Sequence, residues 1–361
     1  MSVDQHFPSN LAYMLMKVET TKGTDAAPDE TNFLYTEEPS ANTQTNTETR
    51  TGVSDNRPGW KPVSTNRVGE IGGSTEVRAV TVVDDNSRPQ EHPVWVSAGF
   101  NFTTDTAGDP KRLIYTMTAV AELSVTVHWV MLNAVKDYGI RHRFAGCVFN
   151  PTLTIAKNTR WQLGFEGQGI PASDSPDPIT GATIHTGLET SSENPQVGTG
   201  AKVSIYDTVD GLTYGGGTES APLCEGFIDS LTINFNMTVI RRDGINCADG
   251  NGGRVEGRPG EEPATIDAVF EILKLSDFDF WKAQRDKHPI KVVVEQPSSA
   301  AGVSGTRFTC VATIGDFTLA DNEGEQSATV QMHIIYADDG SGNFGNKAGA
   351  LGTFEYFTVA P

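Results

Sequence analysis

Apolar and polar residues alternate with a period of two in several stretches of this 361-residue chain. From Leu231 to Val239 every odd position is apolar and every even one polar, which predicts one strand with a buried face and a wet one. Val125, Val127, Trp129 and Met131 alternate with Ser124, Thr126 and His128 in the same way. So do Trp161, Leu163 and Phe165 with Gln162, Gly164 and Glu166, and Val330, Met332 and Ile334 with Thr329, Gln331 and His333. Shorter strand patterns fall at 11–19, 74–83, 152–156, 203–206, 266–273, 290–295 and 307–314. Helical periodicity is scarce. Ser276 to Arg285 predicts one helix, with Ser276 as cap, Asp277 and Asp279 suited to its N-terminus, Phe280 and Trp281 as anchors, and Pro289 just beyond. Pro93 to Phe100 predicts a second, anchored by Trp95; 110–123 fits neither template.

Polar stretches without apolar period separate these elements. Residues 36–59, 171–200, 243–263 and 338–352 read as long loops, of the kind that carry function or become ordered on partners. The segment 171–200 divides the chain nearly in half, and the halves echo one another. Arg143-Phe144 with Thr154-Ile155-Ala156 and Asn158 matches Arg307-Phe308 with Thr318-Leu319-Ala320 and Asn322, at a constant offset of 164. Arg50-x-Gly52-Val53 matches Arg242-x-Gly244-Ile245 at an offset of 192. Each half places a tryptophan segment between these landmarks, which predicts a duplication.

Composition narrows the classes. Asp plus Glu number 46 against 27 Lys plus Arg, a formal charge of −19, which argues against a protein that grips duplex DNA. It suits one that keeps nucleic acid from sticking. Thirty-seven glycines and 19 prolines, with many Thr, Asn and Ser, match a turn-rich β protein. No apolar run approaches the length of a membrane-spanning helix, and Met1 to His6 does not open a signal peptide. The cysteines (Cys147, Cys224, Cys247, Cys310) form no CxxC pair and read as reduced thiols of a chain made in a cytoplasm.

Catalytic chemistry finds little footing. The histidines (His6, His92, His128, His142, His185, His288, His333) show no HExxH or close zinc spacing. There is no GxSxG elbow, and Gly215-Gly216-Gly217 lacks the Lys of a phosphate loop. Cys147 and Cys310 lie inside strand patterns and read as packing residues. Asp249-Gly250-Asn251-Gly252-Gly253 lacks the closing Glu of an EF-hand and reads as a turn. Of the tryptophans only Trp60, beside Pro58, Gly59 and Pro62, reads as loop-borne. The residues therefore predict a non-enzymatic, β-rich protein without metal or cofactor.

In the order of its segments the chain resembles the tail tube (major tail) proteins of long-tailed bacteriophages, from about residue 11 to 336. Lys17-Val18-Glu19-Thr20-Thr21-Lys22-Gly23-Thr24 is similar to the family's N-terminal strand ending in Gly-Thr. Phe144-Ala145-Gly146-Cys147-Val148-Phe149-Asn150-Pro151-Thr152-Leu153-Thr154-Ile155, leading to Trp161-Gln162-Leu163-Gly164-Phe165-Glu166-Gly167, resembles the hairpin closing its core sandwich. Leu231 to Val239 with Arg241-Arg242-Asp243-Gly244 resembles the strand and loop after it. The motifs are matters of order and pattern, with no catalytic signature among them.

The resemblance implies a mainly β fold: two tail-tube-like β-sandwich domains with short flanking helices, at 1–170 and 201–361, joined by a linker at 171–200. The second ends in a Gly-rich arm. Strands from each domain would contribute to an intersubunit β-barrel around a channel. Rings would be homotrimers with pseudo-sixfold symmetry if the chain is duplicated, or homohexamers if it is not, and would stack into a tube. Partners implied are further copies of the chain, the terminator, distal tail and tape measure proteins, and genomic DNA that passes without specific binding. The place implied is the virion tail, assembled in the host cytoplasm, with no membrane. Glu70 and Glu76 in the first half, with Asp267 and Glu271 in the second, are the candidate lumen-facing acids; ordinary solvated surface is the competing reading. The alternative classes are a β-sandwich carbohydrate-binding or adhesin module and, further off, a β-sandwich glycosidase, which would need two carboxylates in one cleft.

Overall fold

The computed structural model describes residues 7, 11–48, 63–80, 83–108, 110–117, 123–133, 135–173, 175–180, 196–198, 200–207, 224–226, 228–242, 253–271, 279–296, 304–322, 325–336 and 351–358. It is mainly β, with large antiparallel sheets and, among the described residues, two short α-helices. The first half holds β1 (Ala12–Val18), β2 (Phe33–Leu34), β3 (Glu37–Glu48), β4 (Val63–Glu76), α1 (His92–Ser97), β5 (Phe100–Asp105), β6 (Lys111–Met117), β7 (Val125–Leu132), β8 (Tyr138–Ala156), β9 (Gln162–Pro171) and β10 (Asp177–Thr180). The second holds β11 (Lys202–Asp207), β12 (Cys224–Gly226), β13 (Ile228–Asn234), β14 (Met237–Arg242), β15 (Arg254–Pro259), β16 (Thr265–Glu271), α2 (Phe280–Asp286), β17 (Ile290–Gln296), β18 (Ser304–Asn322), β19 (Glu325–Ile335) and β20 (Thr353–Thr358).

Strand pairing repeats. In the first half the hydrogen-bonded order is β1, β7, β8, β9, β4, β3. In the second it is β11, β17, β18, β19, β16, β13. A helix lies between β4 and β7 in one half and between β16 and β17 in the other. The long strands β8 and β18 each carry a bulge on the side facing their hairpin partner, between Ala145 and Val148 and between Ile314 and Phe317. One extra residue bends such a strand and lets its two ends join different neighbours. Beyond the bulge the first core-facing residues are Phe149 and Phe317, 168 residues apart, paired with Gly167 and Val330 respectively. At this register Met14 opposite Trp129 corresponds to Ile205 opposite Val292. Arg143-Phe144 and Arg307-Phe308 therefore do not superpose. The offset of 164 matched residues that fall four places apart on equivalent strands. The match at 192 lies mostly outside the described residues, as do Ser276 and Trp60.

Several elements depart from the sequence expectation for identifiable reasons. The alternation of 231–239 is interrupted after Asn234 by Asn236 at φ 47°, so it makes two strands in place of one. Asparagine tolerates this left-handed turn, and Phe235 stays buried across it. The loops expected at 36–59, 171–200 and 243–263 contain β3, β10 and β15, and the undecided stretch 110–123 contains β6. β3 has hardly any apolar face to betray it; among its described side chains only Ala41 packs on the core. The second helix starts at Phe280, capped by the Asp279 carboxylate, which accepts from Lys282 N at 3.0 Å.

One hydrophobic core runs through both halves, from Met14, Trp95 and Phe149 to Ile266, Phe308 and Tyr356. Among the described residues two strand pairings join the halves. β13 pairs with the second part of β8, Thr152 to Ala156. β20 lies between β18 and β6, a strand of the hairpin that only the first half possesses. Trp95 is sealed at this junction. It is 0 % exposed, stacks on Phe354 at 4.8 Å and meets Phe235 edge-on at 5.8 Å. Its Nε1 donates to the Tyr356 hydroxyl at 3.2 Å, and that hydroxyl donates to Glu91. Glu91 is the N-cap residue of α1, yet its carboxylate faces Tyr356 and makes no cap hydrogen bond.

Candidate assembly interface and acidic face

The repeat brings two acids to equivalent places. Glu70 lies on β4, opposite Asn42 of β3 and Gln168 of β9, and accepts from Gln44 Nε2 at 2.7 Å. Asp267 lies on β16, opposite Thr232 of β13 and Gln331 of β19. It accepts from Asn234 Nδ2 at 3.2 Å and from Gln331 Nε2 at 2.8 Å. Gln44, Glu70 and Gln168 thus correspond strand for strand to Asn234, Asp267 and Gln331. Both carboxylates point away from the core, since the neighbours Ile71, Ile266 and Ala268 point into it. Glu70 is exposed and Asp267 half-buried. Amide donors fix each carboxylate without neutralising it, so the charge stays on the sheet surface.

Glu76 differs, and the side chain of Glu271 lies outside the described ones. Glu76 is 3 % exposed and ion-paired with Arg78 at 3.2 Å and with Arg160. Two guanidiniums hold it under the surface of the folded chain, where its strand position alone suggested an exposed acid. Glu271 closes β16 opposite Ser327.

A groove of about 950 Å³ opens on the outer face of β3, β4 and β9, beside β14. Glu37, Glu70 and Glu166 line it with Gly72, Gly164 and Gly167. Its aromatic ring, Phe165, is turned into the core and offers no platform to a sugar. Among the described residues no cluster of three or more His, Cys, Asp or Glu could hold a metal ion, and no helix is long and apolar enough to cross a membrane. Cys147 and Cys310 are buried, and burial pushes both thiols up, away from the reactive thiolate.

Two edges are open. Among the described residues β3 pairs with β4 and with no other strand. β18 pairs with β17 through Ala312; past that point, on the same side, no described strand accompanies it. Gln284 Nε2 donates to the Gly315 carbonyl there, and Lys287 Nζ, from the same α2 region, to the Ile314 carbonyl. Trp281 of α2, 45 % exposed, lies 4.7 Å from the Phe317 ring, and Leu319, two residues on, is 53 % exposed. The tryptophan of the second helix is thus left partly bare where that of the first is sealed.

His128 falls at a polar position of the β7 alternation. It is buried on β7, with Nε2 3.3 Å from Asp25. Burial pushes its pKa down to about 4, outweighing the nearby Asp25 carboxylate. His92, whose Nδ1 lies 2.8 Å from the Tyr115 hydroxyl, is also pushed to about 4 by burial and then by Arg88. Both rings are neutral in the folded chain at pH 7, so His128 and Asp25 share a hydrogen bond rather than an ion pair. The unfolded chain takes up these protons near pH 6.5, and the folded chain only near 4. Stability is therefore full above pH 6.5 and falls as pH drops toward 4. Each histidine is expected to remove about 2–3 kcal/mol by pH 4.5. Urea midpoints at pH 7.5 and 4.5 test this; His128→Gln, if folded, should show a shallower loss, and an unchanged slope would contradict the assignment.

No protein-family model matches the sequence, and no curated protein matches it.

Proposed function

We propose that this chain is a structural, non-catalytic protein of a bacteriophage tail tube. Three copies close a ring of six similar β units, rings stack, and DNA passes from capsid to cell through the bore. Each unit contributes strands to a barrel shared between copies. The observation that carries this reading is the repeat: two halves with one strand order and an outward carboxylate, Glu70 or Asp267, at the same place in each. A trimer would present these acids with pseudo-sixfold regularity, a charge pattern that repels phosphate from a wall. Closure also removes the open edges of β3 and β18, which would otherwise invite uncontrolled pairing. Each joint is heterologous, head to tail, and such joints make rings when the rotation closes. The chain's surplus charge of −19 suits a conduit that must not hold its cargo.

Electron microscopy of the concentrated protein should show rings or hollow rods with three-fold symmetry; a persistent monomer would refute assembly. A Glu70→Lys, Asp267→Lys variant should still form rods. These rods should retain duplex DNA at ~50 mM salt and release it by ~200 mM, while wild-type rods retain none. Variant rods that ignore DNA at both salts would remove these two acids from the wall.

A further inference from the structure

We propose that successive copies join by strand addition: β3 of one copy pairs, antiparallel, with the open second part of β18 of another. Within the chain, β13 makes this contact with the second part of β8, and β3 and β18 are the counterparts of β13 and β8 in the repeat. Each chain therefore holds one finished joint and the two unfinished sides of the same joint. The proposal rests on the ring reading above and specifies how the ring closes.

The register follows from the residues already matched. Gln44 corresponds to Asn234, through their shared bonds to Glu70 and Asp267. Phe149 corresponds to Phe317. The internal pairs Thr152–Asn234, Leu153–Ile233 and Thr154–Thr232 then transpose to Ala320–Gln44, Asp321–Thr43 and Asn322–Asn42 between copies. Two independent features agree. Trp281 and Leu319 leave an apolar patch beside the open part of β18, where the sealed Trp95 in the first half is covered by Phe235, the residue that follows β13. The incoming β3 would bring cover to the corresponding place. β3 itself is a polar edge of Thr, Asn and Gln, poorly suited to indiscriminate sheet growth, so pairing depends on a partner with matching register.

Directly opposed residues of antiparallel strands have Cα atoms about 4.5–5.5 Å apart, within reach of a disulfide. The test is a Thr43→Cys, Asp321→Cys variant in a Cys224→Ser, Cys247→Ser background, assembled and then mildly oxidised. Non-reducing electrophoresis should show dimers and a closed trimer that collapse to monomer with reductant. Each single-cysteine variant should stay monomeric on the gel. Gln44→Cys, Asp321→Cys, which places the thiols on opposite faces, should cross-link ~10-fold less. Rods that form normally without the Thr43–Asp321 cross-link, or that cross-link equally through Gln44, would overturn the pairing and leave the ring reading standing. If neither wild type nor variant assembles at all, the ring reading falls, and the pairing with it.

Discussion

Trp95→Ala is expected to destabilise the chain by about 3–5 kcal/mol, because the indole fills the seam between the halves and its removal leaves a large cavity. Phe354 and Phe235, which pack on it, both come from the second half. The loss extends beyond packing. Trp95 Nε1 donates to Tyr356, and Tyr356 donates to the buried Glu91 side chain, so the hydroxyl that bonds a buried polar group loses a partner. Urea unfolding should move to a clearly lower midpoint, and β20 should be the first strand to exchange its amide hydrogens. Trp281→Ala is the internal control. That ring is 45 % exposed, so the isolated chain should lose less than ~1 kcal/mol. Equal losses from the two substitutions would refute the contrast between a sealed seam and an open one.

The second large effect is expected at Glu19. Its carboxylate is buried and fully engaged. Oε1 accepts from Thr126 Oγ1 at 2.9 Å and Gly146 N at 2.7 Å. Oε2 accepts from Ser124 Oγ at 2.5 Å and Gly23 N at 2.6 Å. Gly146 sits in the β8 bulge at φ 65°, a backbone conformation that a side chain would strain, with its N–H turned to the acid. One side chain thus ties the turn after β1 to β7 and to the bend in β8. Glu19→Ala would strand these donors in a dry site and is expected to cost about 3–5 kcal/mol. Glu19→Gln keeps one accepting oxygen and should cost roughly half as much. Chemical denaturation ranks the three proteins; a Gln variant as unstable as the Ala variant would show that packing, not acceptance, is what Glu19 supplies.

Much of the fold was legible because one sheet face is apolar. The strands around Val127, Leu163, Val292 and Met332 announce themselves by alternation, and the tryptophan segments mark both helices. β3 stayed hidden because its partner strand, not its own side chains, makes it a strand. Asn236 could not be read as a break because a left-handed turn leaves the apolar alternation intact. The strand order shared by the halves was visible in element order but not in register. Its residue-level signature is an acid held by amides on neighbouring strands, Gln44–Glu70 and Asn234–Asp267, and each such set is scattered across separate strands. Glu70 and Asp267 were singled out from strand position alone, and the same reasoning selected Glu76, because sequence does not reveal that Arg160 folds back onto it.

The β5–β6 hairpin belongs to one half only, yet it flanks the last strand of the other. A nick within 181–195 would therefore not liberate two modules. The amino-terminal fragment would lose the β20 neighbour of β6 and the rings that cover Trp95, and the carboxy-terminal fragment would bare one side of its own final strand. Alike in strand order, the two parts are mutually dependent in substance, and neither is expected to persist without the other.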